Sequence, residues 1–189
     1  MSTQPLVHVI VGSVRAKRLC PQVAAWVAQA ARADATRPFA LEIVDLADWP
    51  LPMEDEPGIP ALGEYANEHT RAWSAKIAQA SGFVFVTPQY NWGYPAALKN
   101  ALDHLHGEWR GKPAAIVSYG GHGGGKCAAQ LKQVADGLKM RVVPTMPGLE
   151  LPEAVIRGGE FDPRREFATH VPAVEQAFAE LAALLAPAA

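Results

Sequence analysis

From Gly82 to Val86 the chain is apolar at every position, and it then runs through Thr87-Pro88-Gln89-Tyr90-Asn91-Trp92-Gly93-Tyr94-Pro95 before a helical spacing begins at Ala96. A run with no polar alternation fits a strand buried on both faces, the condition of a central strand in a parallel sheet. Pro88, Gly93 and Pro95 forbid regular structure in the segment that follows. Strand, loop and helix therefore succeed one another here, and the fold must accommodate that order.

The same succession recurs along the chain. Leu6 to Val11 reads as a strand closed by Gly12-Ser13, after which Val23, Trp26, Val27, Ala30 and Ala31 repeat at helical spacing. Phe39 to Leu46 gives a second strand, followed by a long loop rich in proline and acid from Asp48 to Pro60. Trp73, Ile77 and Ala80 mark one face of a helix over Tyr65 to Ala80, and after the third strand another helix covers about Pro95 to Leu105. Pro113 to Tyr119 reads as strand four, and the glycine cluster Gly120 to Gly125 opens a helix through Leu138. Arg141 to Val143 begins strand five, and Arg164 to Leu185 closes the chain as one Ala- and Leu-rich helix.

Strands alternating with helices of about a dozen residues imply a parallel sheet with right-handed crossovers. The expected fold class is α/β: a flavodoxin-like three-layer sandwich, its five-stranded parallel sheet in the order 2-1-3-4-5 with helices on both faces. The 189 residues, 49% hydrophobic and 19% charged, suit a single domain over 1–189. No internal repeat or Gly/Ser linker divides them.

A formal net charge of −2 and the lack of a Lys/Arg-rich block argue against nucleic acid or an anionic membrane as the main partner. The longest apolar run is too short to span a bilayer, and the N-terminus enters a strand without the pattern of a secretory signal, so a cytoplasmic location is expected. Cys20 and Cys127 read as free thiols.

Three loops carry the candidate chemistry. Gly12-Ser13-Val14-Arg15-Ala16-Lys17-Arg18 places a hydroxyl, backbone amides and three cations before a helix start, a setting that attracts phosphate. A solvated basic loop would carry the same residues. The three-glycine dinucleotide fingerprint is missing from this turn, so Asp45 at the end of strand two reads as a turn or cap residue, not a ribose acid. Tyr90, Asn91 and Trp92 offer an aromatic, hydrogen-bonding surface to a ring-shaped ligand. Ser118 to Cys127 offers bare backbone to a flat ring. Gly120 to Cys127 also nearly spells a phosphate-binding P-loop, with Cys127 where a magnesium-binding hydroxyl belongs, and a thiol is a poor ligand for a hard cation. In the order 2-1-3-4-5 these loops lie side by side around the switch point. A phosphate on the first and an aromatic ring between the other two describe a flavin mononucleotide.

Gly12-Ser13-Val14-Arg15, Thr87-Pro88-Gln89-Tyr90-Asn91 with Leu98-Lys99-Asn100-Ala101-Leu102-Asp103, and Ser118-Tyr119-Gly120-Gly121 resemble the three signatures of the NADPH-dependent FMN reductase family, in order and spacing, over about Leu6 to Val143. The resemblance implies bound FMN, reduction by NADPH or NADH, and a small-molecule electron acceptor such as a quinone, free flavin, azo compound or metal oxyanion. By position, it implies that Ser13 and Arg15 hold the phosphate with Arg18 assisting. Pro88, Gln89, Tyr90, Asn91 and Trp92 would line the isoalloxazine, and Ser118, Gly120 and Gly121 would flank its other edge. Gln89 stands where the family usually has Glu, and Trp92 where a small residue is commoner. The resemblance also implies a homodimer or homotetramer with a neighbouring subunit at the flavin. The Glu54-Asp55-Glu56 loop is material for such a contact, whereas the stripe Tyr94, Leu98, Leu102, Leu105 and Trp109 reads mostly as core.

Flavin chemistry needs no catalytic side chain from the protein, and His122 and Cys127 read as an exposed loop residue and a small buried one. No metal site is expected, because His104-x-His106 lacks cysteine or carboxylate companions in the nearby sequence. Two other classes stay open: an FMN-binding electron carrier, which would usually be strongly acidic, and a P-loop-like nucleotide hydrolase.

Overall fold

The computed structural model describes residues 4–32, 38–53 and 55–186. Its elements in chain order are β1 (Leu6–Val11), α1 (Cys20–Arg32), β2 (Ala40–Asp45), α2 (Glu68–Ala78), β3 (Gly82–Pro88), α3 (Ala96–Asp103) and β4 (Pro113–Gly120). There follow α4 (Gly125–Gly137), β5 (Arg141–Val142), β6 (Gly148–Glu150), α5 (Glu153–Ile156), α6 (Pro163–Glu166) and α7 (Val171–Leu185). The strands pair in parallel in the order β2-β1-β3-β4-β5, with β6 also against β4. The chain is therefore an α/β sandwich of flavodoxin-like topology.

Alternation along the strands divides the core in two. Val7, Val9, Val84, Val86, Ala115 and Val117 meet α1 and α7 through Val23, Trp26, Val27, Val174, Phe178 and Leu181. Ile10, Phe83, Phe85 and Ile116 point to the opposite face, where α2, α3 and α4 supply Trp73, Ile77, Leu98, Leu102 and Leu131. Every residue of β3 is buried, as its unbroken apolar run predicts. Phe83 and Phe85 both rest against Trp109, with centroids 4.9 and 6.2 Å apart, and each such ring contributes about 1.5–3 kcal/mol by leaving water. The indole N–H groups of Trp73 and Trp109 donate to the carbonyls of Ala101 and Leu102, in the last turn of α3, at 2.9 and 3.1 Å. Leu98, Leu102, Leu105 and Trp109 are thus core residues, and Tyr94 packs against them half-buried.

His8 on β1 is wholly buried between Glu42, its register partner on β2, and Phe83 on β3. Its Nε2 lies 3.2 Å from Glu42 Oε2, and Lys76 of α2 donates to Glu42 Oε1 at 2.5 Å. Burial, then the Lys76 charge, push the His8 imidazole below its ordinary value of 6.5, against the opposing pull of Glu42.

Two elements differ from the sequence expectation. The fifth strand is split, β5 pairing with the start of β4 and β6 with its end. Pro144 and Pro147 stand between the pieces, and neither has an amide hydrogen for a ladder. The C-terminal helix is also broken into α6, a turn of 3₁₀ helix at Ala168–His170, and α7. A helix continuous through Pro172 would need its missing N–H, so the helix restarts with that proline in the first turn, where no donor is required.

Candidate functional site

Val11 lies opposite Val86 in the register of β1 and β3, and Pro88 opposite Tyr119 in that of β3 and β4. The three loops that leave these strand ends therefore share one rim of the sheet, and between them opens a cavity of about 600 Å³. That volume falls within the roughly 300–1,000 Å³ typical of small-molecule and cofactor sites. Arg15 to Leu19, Pro88 to Tyr90 and Tyr119 to Gly121 line it. A fourth segment, Leu151 to Gly159 around α5, closes another side, which no motif in the sequence marks; it arrives there because β6 pairs with the end of β4.

The first and second loops are tied together. Ser13 is buried, and its hydroxyl lies 2.8 Å from Tyr90 Oη. The Arg15 guanidinium stacks over the Tyr90 ring, 3.7 Å from its centroid. Arg18 is fixed by an ion pair with Asp45 at 2.6 Å and by a 3.3 Å bond to the Arg15 carbonyl. Asp45 also accepts from the Ala47 amide at 3.0 Å, so it caps the turn after β2 as its sequence position implied.

In the second loop Tyr90 and Gly93 exchange two backbone hydrogen bonds, at 2.8 and 2.9 Å, which close a tight turn. Its two central residues, Asn91 and Trp92, have φ of 48° and 71°. Such left-handed geometry costs a bulky residue on the order of 1–3 kcal/mol and concentrates at ligand sites. Trp92 is 64% exposed as a residue, and the Lys126 ammonium lies over its ring at 2.9 Å from the centroid. Gln89 bridges to the third loop: its amide donates to Tyr119 O at 2.9 Å, and its side-chain carbonyl accepts from Cys127 N–H, in the first turn of α4, at 3.2 Å.

The third loop is shaped from within. The Ser118 hydroxyl is buried and donates to Gly123 O at 2.8 Å. At Gly124, φ is +77°, and a Cβ would lie 2.9 Å from Ser118 Cβ. Gly120 and Gly121 present main chain to the cavity, and Ile156 of α5 faces Gly121 at a distance that leaves no room for a larger residue without movement.

Neither thiol is poised for nucleophilic chemistry. Burial pushes Cys20 and Cys127 up to about 11, and Cys20 donates to Val86 O at 3.3 Å. Burial likewise raises the Tyr119 phenol well above the usual tyrosine range. Lys126, the residue that favoured the P-loop reading, lies over Trp92, and Cys127, which already counted against it, is buried in the core. His122 is exposed.

Residues 5–149 match the family model for NADPH-dependent FMN reductase. The chain is 59% identical over 182 residues to the NAD(P)H-dependent FMN reductase of Schizosaccharomyces pombe, covering 95% of this chain and 90% of that protein. It is 33% identical over 168 residues to a quinone reductase of Pseudomonas putida, covering 84% and 81% respectively. Among solved structures, the flavoenzyme NAD(P)H:(acceptor) oxidoreductase FerB of Paracoccus denitrificans has the same fold, with a TM-score of 0.68 at 22% identity over 95% of this chain and 97% of that one.

Proposed function

Because the chain belongs to the NADPH-dependent FMN reductase family, we propose that the cavity between the three loops is its FMN site and that a quinone-type acceptor is its second substrate. The chain is an FMN-dependent NAD(P)H oxidoreductase. The observation that carries the site assignment is the convergence of Arg15, Tyr90 and the Gly120-Gly121 backbone on one cavity of cofactor size. FMN supplies the two-electron chemistry when bound, taking hydride from the nicotinamide and passing electrons to the acceptor.

The residues present suit that group. Arg15, stacked on Tyr90, would supply a charge-assisted donor for the phosphate, Ser13 would serve it from beneath through its bond to Tyr90, and Arg18, paired with Asp45, lines the same cavity before α1. Pro88, Gln89 and Tyr90 line one side of the cavity and would wall the isoalloxazine, with Asn91 and Trp92 in the turn just beyond that lining, and Gly120 and Gly121 would give it bare main chain on the other side. Ser118 serves the site from beneath, by holding the glycine loop in shape. No side chain need act as acid or base; the protein orients rings, excludes water and offers backbone donors to negative charge.

The same proposal includes a homodimer or homotetramer in the cytoplasm. A second cavity of about 380 Å³, lined by Val14, Trp49, Leu51, Met53 and Asn100, adjoins the first loop, and Val14 and Met53 are exposed apolar residues at its border. A neighbouring subunit seated there would wall the flavin. Asp55 and Glu56 stand on the same loop, while Glu54 lies outside the described residues. No helix among the described residues is long and apolar enough to cross a membrane.

The test is reconstitution with FMN followed by anaerobic stopped-flow mixing with NADPH. The flavin absorption is expected to appear on reconstitution and to bleach on mixing. Material that stays colourless with excess FMN would reject the site, and a yellow protein that NADPH does not bleach would make it a carrier.

A further inference from the structure

Away from the flavin cavity, three segments bring Asp55, His69 and His104 together: the long loop after β2, the first turn of α2 and the residue that ends α3. One potential ligand atom from each lies within 4.8 Å of the others. His69 Nε2 is 3.1 Å from the Asp55 carboxylate, and His104 Nε2 is 3.6 Å from Asp55 Oδ1. We propose that Asp55, His69 and His104 form a binding site for a divalent transition-metal ion, with zinc the best match to the donor set.

His104 is 4% exposed. Its Nδ1 lies 2.8 Å from Asn100 O, and a carbonyl oxygen only accepts, so Nδ1 carries the hydrogen. In the neutral imidazole that hydrogen bond fixes the tautomer and leaves the Nε2 lone pair facing Asp55 and His69. Nε2 is buried and has no hydrogen-bond partner, a costly state for a polar atom and one that metal coordination relieves. A metal-bound imidazole commonly donates its other N–H to a backbone carbonyl, the arrangement already in place at Asn100.

Geometry and charge agree with this. Bonds of about 2.0–2.1 Å in a tetrahedron put neighbouring ligand atoms roughly 3.3 Å apart, and the distances from Asp55 to the two imidazoles bracket that value. Bringing ligand atoms that lie within 4.8 Å to that spacing asks for a contraction of at most about 1.5 Å, within reach of a half-exposed His69. Two imidazoles with one carboxylate favour zinc and its transition-metal neighbours over magnesium or calcium, which prefer all-oxygen shells. A cavity of about 190 Å³ bordered by Asp55, Glu56, Asp103 and His104 adjoins the cluster, so a fourth position is open to water and its approach is acidic. Bound metal would pin the long loop across α2 and the end of α3, joining positions far apart in sequence.

The experiment uses the full-length, tag-free protein, stripped with chelator and titrated with Zn²⁺ by calorimetry and with Co²⁺ by visible absorption. One equivalent of Zn²⁺ per chain and ligand-field bands from Co²⁺ are expected, together with a rise in melting temperature on adding Zn²⁺. His69→Gln and His104→Gln should each weaken Zn²⁺ binding by at least about 100-fold while circular dichroism stays native. Should the buried His104 variant fail to fold, His69→Gln on the half-exposed face of α2, with Asp55→Asn, gives the same reading. Wild-type protein that takes up no more Zn²⁺ than the His69→Gln variant would overturn the site.

Discussion

Arg15 is the side chain on which the phosphate assignment turns. It is exposed, yet stacking on Tyr90 holds its guanidinium at the mouth of the cavity. Arg15→Ala removes a charge-assisted bond and should weaken FMN binding by about 1.5–3 kcal/mol, read as a higher dissociation constant in a fluorescence titration. An unchanged constant would remove Arg15 from the site. Much at this scale was legible, because Gly12-Ser13-Val14-Arg15 is a local motif whose chemistry follows from residue types in a row. The partners of its residues were not legible. Tyr90 is 77 positions from Ser13, and nothing in either neighbourhood announces their hydrogen bond. The glycine cluster is a similar case: its composition marks a turn, but the need for glycine at Gly124 arises from Ser118 pressing on it, a contact only the fold creates.

Among the elements, α4 shows how a loop and a helix start can share one residue. Gln89 accepts from Cys127 N–H there, and Gln89→Glu keeps that acceptor while placing negative charge at the positive end of the helix. The variant should fold normally and gain up to about 1 kcal/mol in thermal unfolding, while the flavin potential falls in a redox titration because reduced flavin carries negative charge. Loss of the unfolding transition would contradict this. The strand, loop and helix from Gly82 to Asp103 were readable because each signal is local: unbroken apolarity, two prolines and a glycine, then helical spacing. The break in the C-terminal helix is hidden in the sequence, since helical spacing from Arg164 to Leu185 continues across Pro172 and masks the restart. The α5 segment was missed because its place at the site depends on β6 pairing with β4. Around His104 the sequence offers only His106, whereas its companions in space come from another loop and another helix.

For the molecule as a whole, His8 links stability to acidity. Burial holds its imidazole below 6.5, so the unfolded chain takes up a proton before the folded one does. Stability should therefore be fully present above about pH 6.5 and decline as the pH falls through the lowered folded value. Glu42, lowered from 4.5 by its hydrogen bond from Lys76, adds its own loss only at more acidic pH. Melting temperatures measured from pH 7.5 down to 5.5 should fall, and His8→Gln should flatten that slope; parallel slopes for both proteins would refute the assignment.

The split in the last strand also bears on how copies of this chain can meet. A continuous outer strand offers a row of amides on which a stranger's backbone can template itself, the route to fibrous growth. Here Pro144 and Pro147 interrupt that row, and the opposite rim of the sheet carries Glu42 and Asp45. Runaway stacking of sheet upon sheet is discouraged at both ends, which leaves helices and loops as the surfaces through which a finite assembly would close.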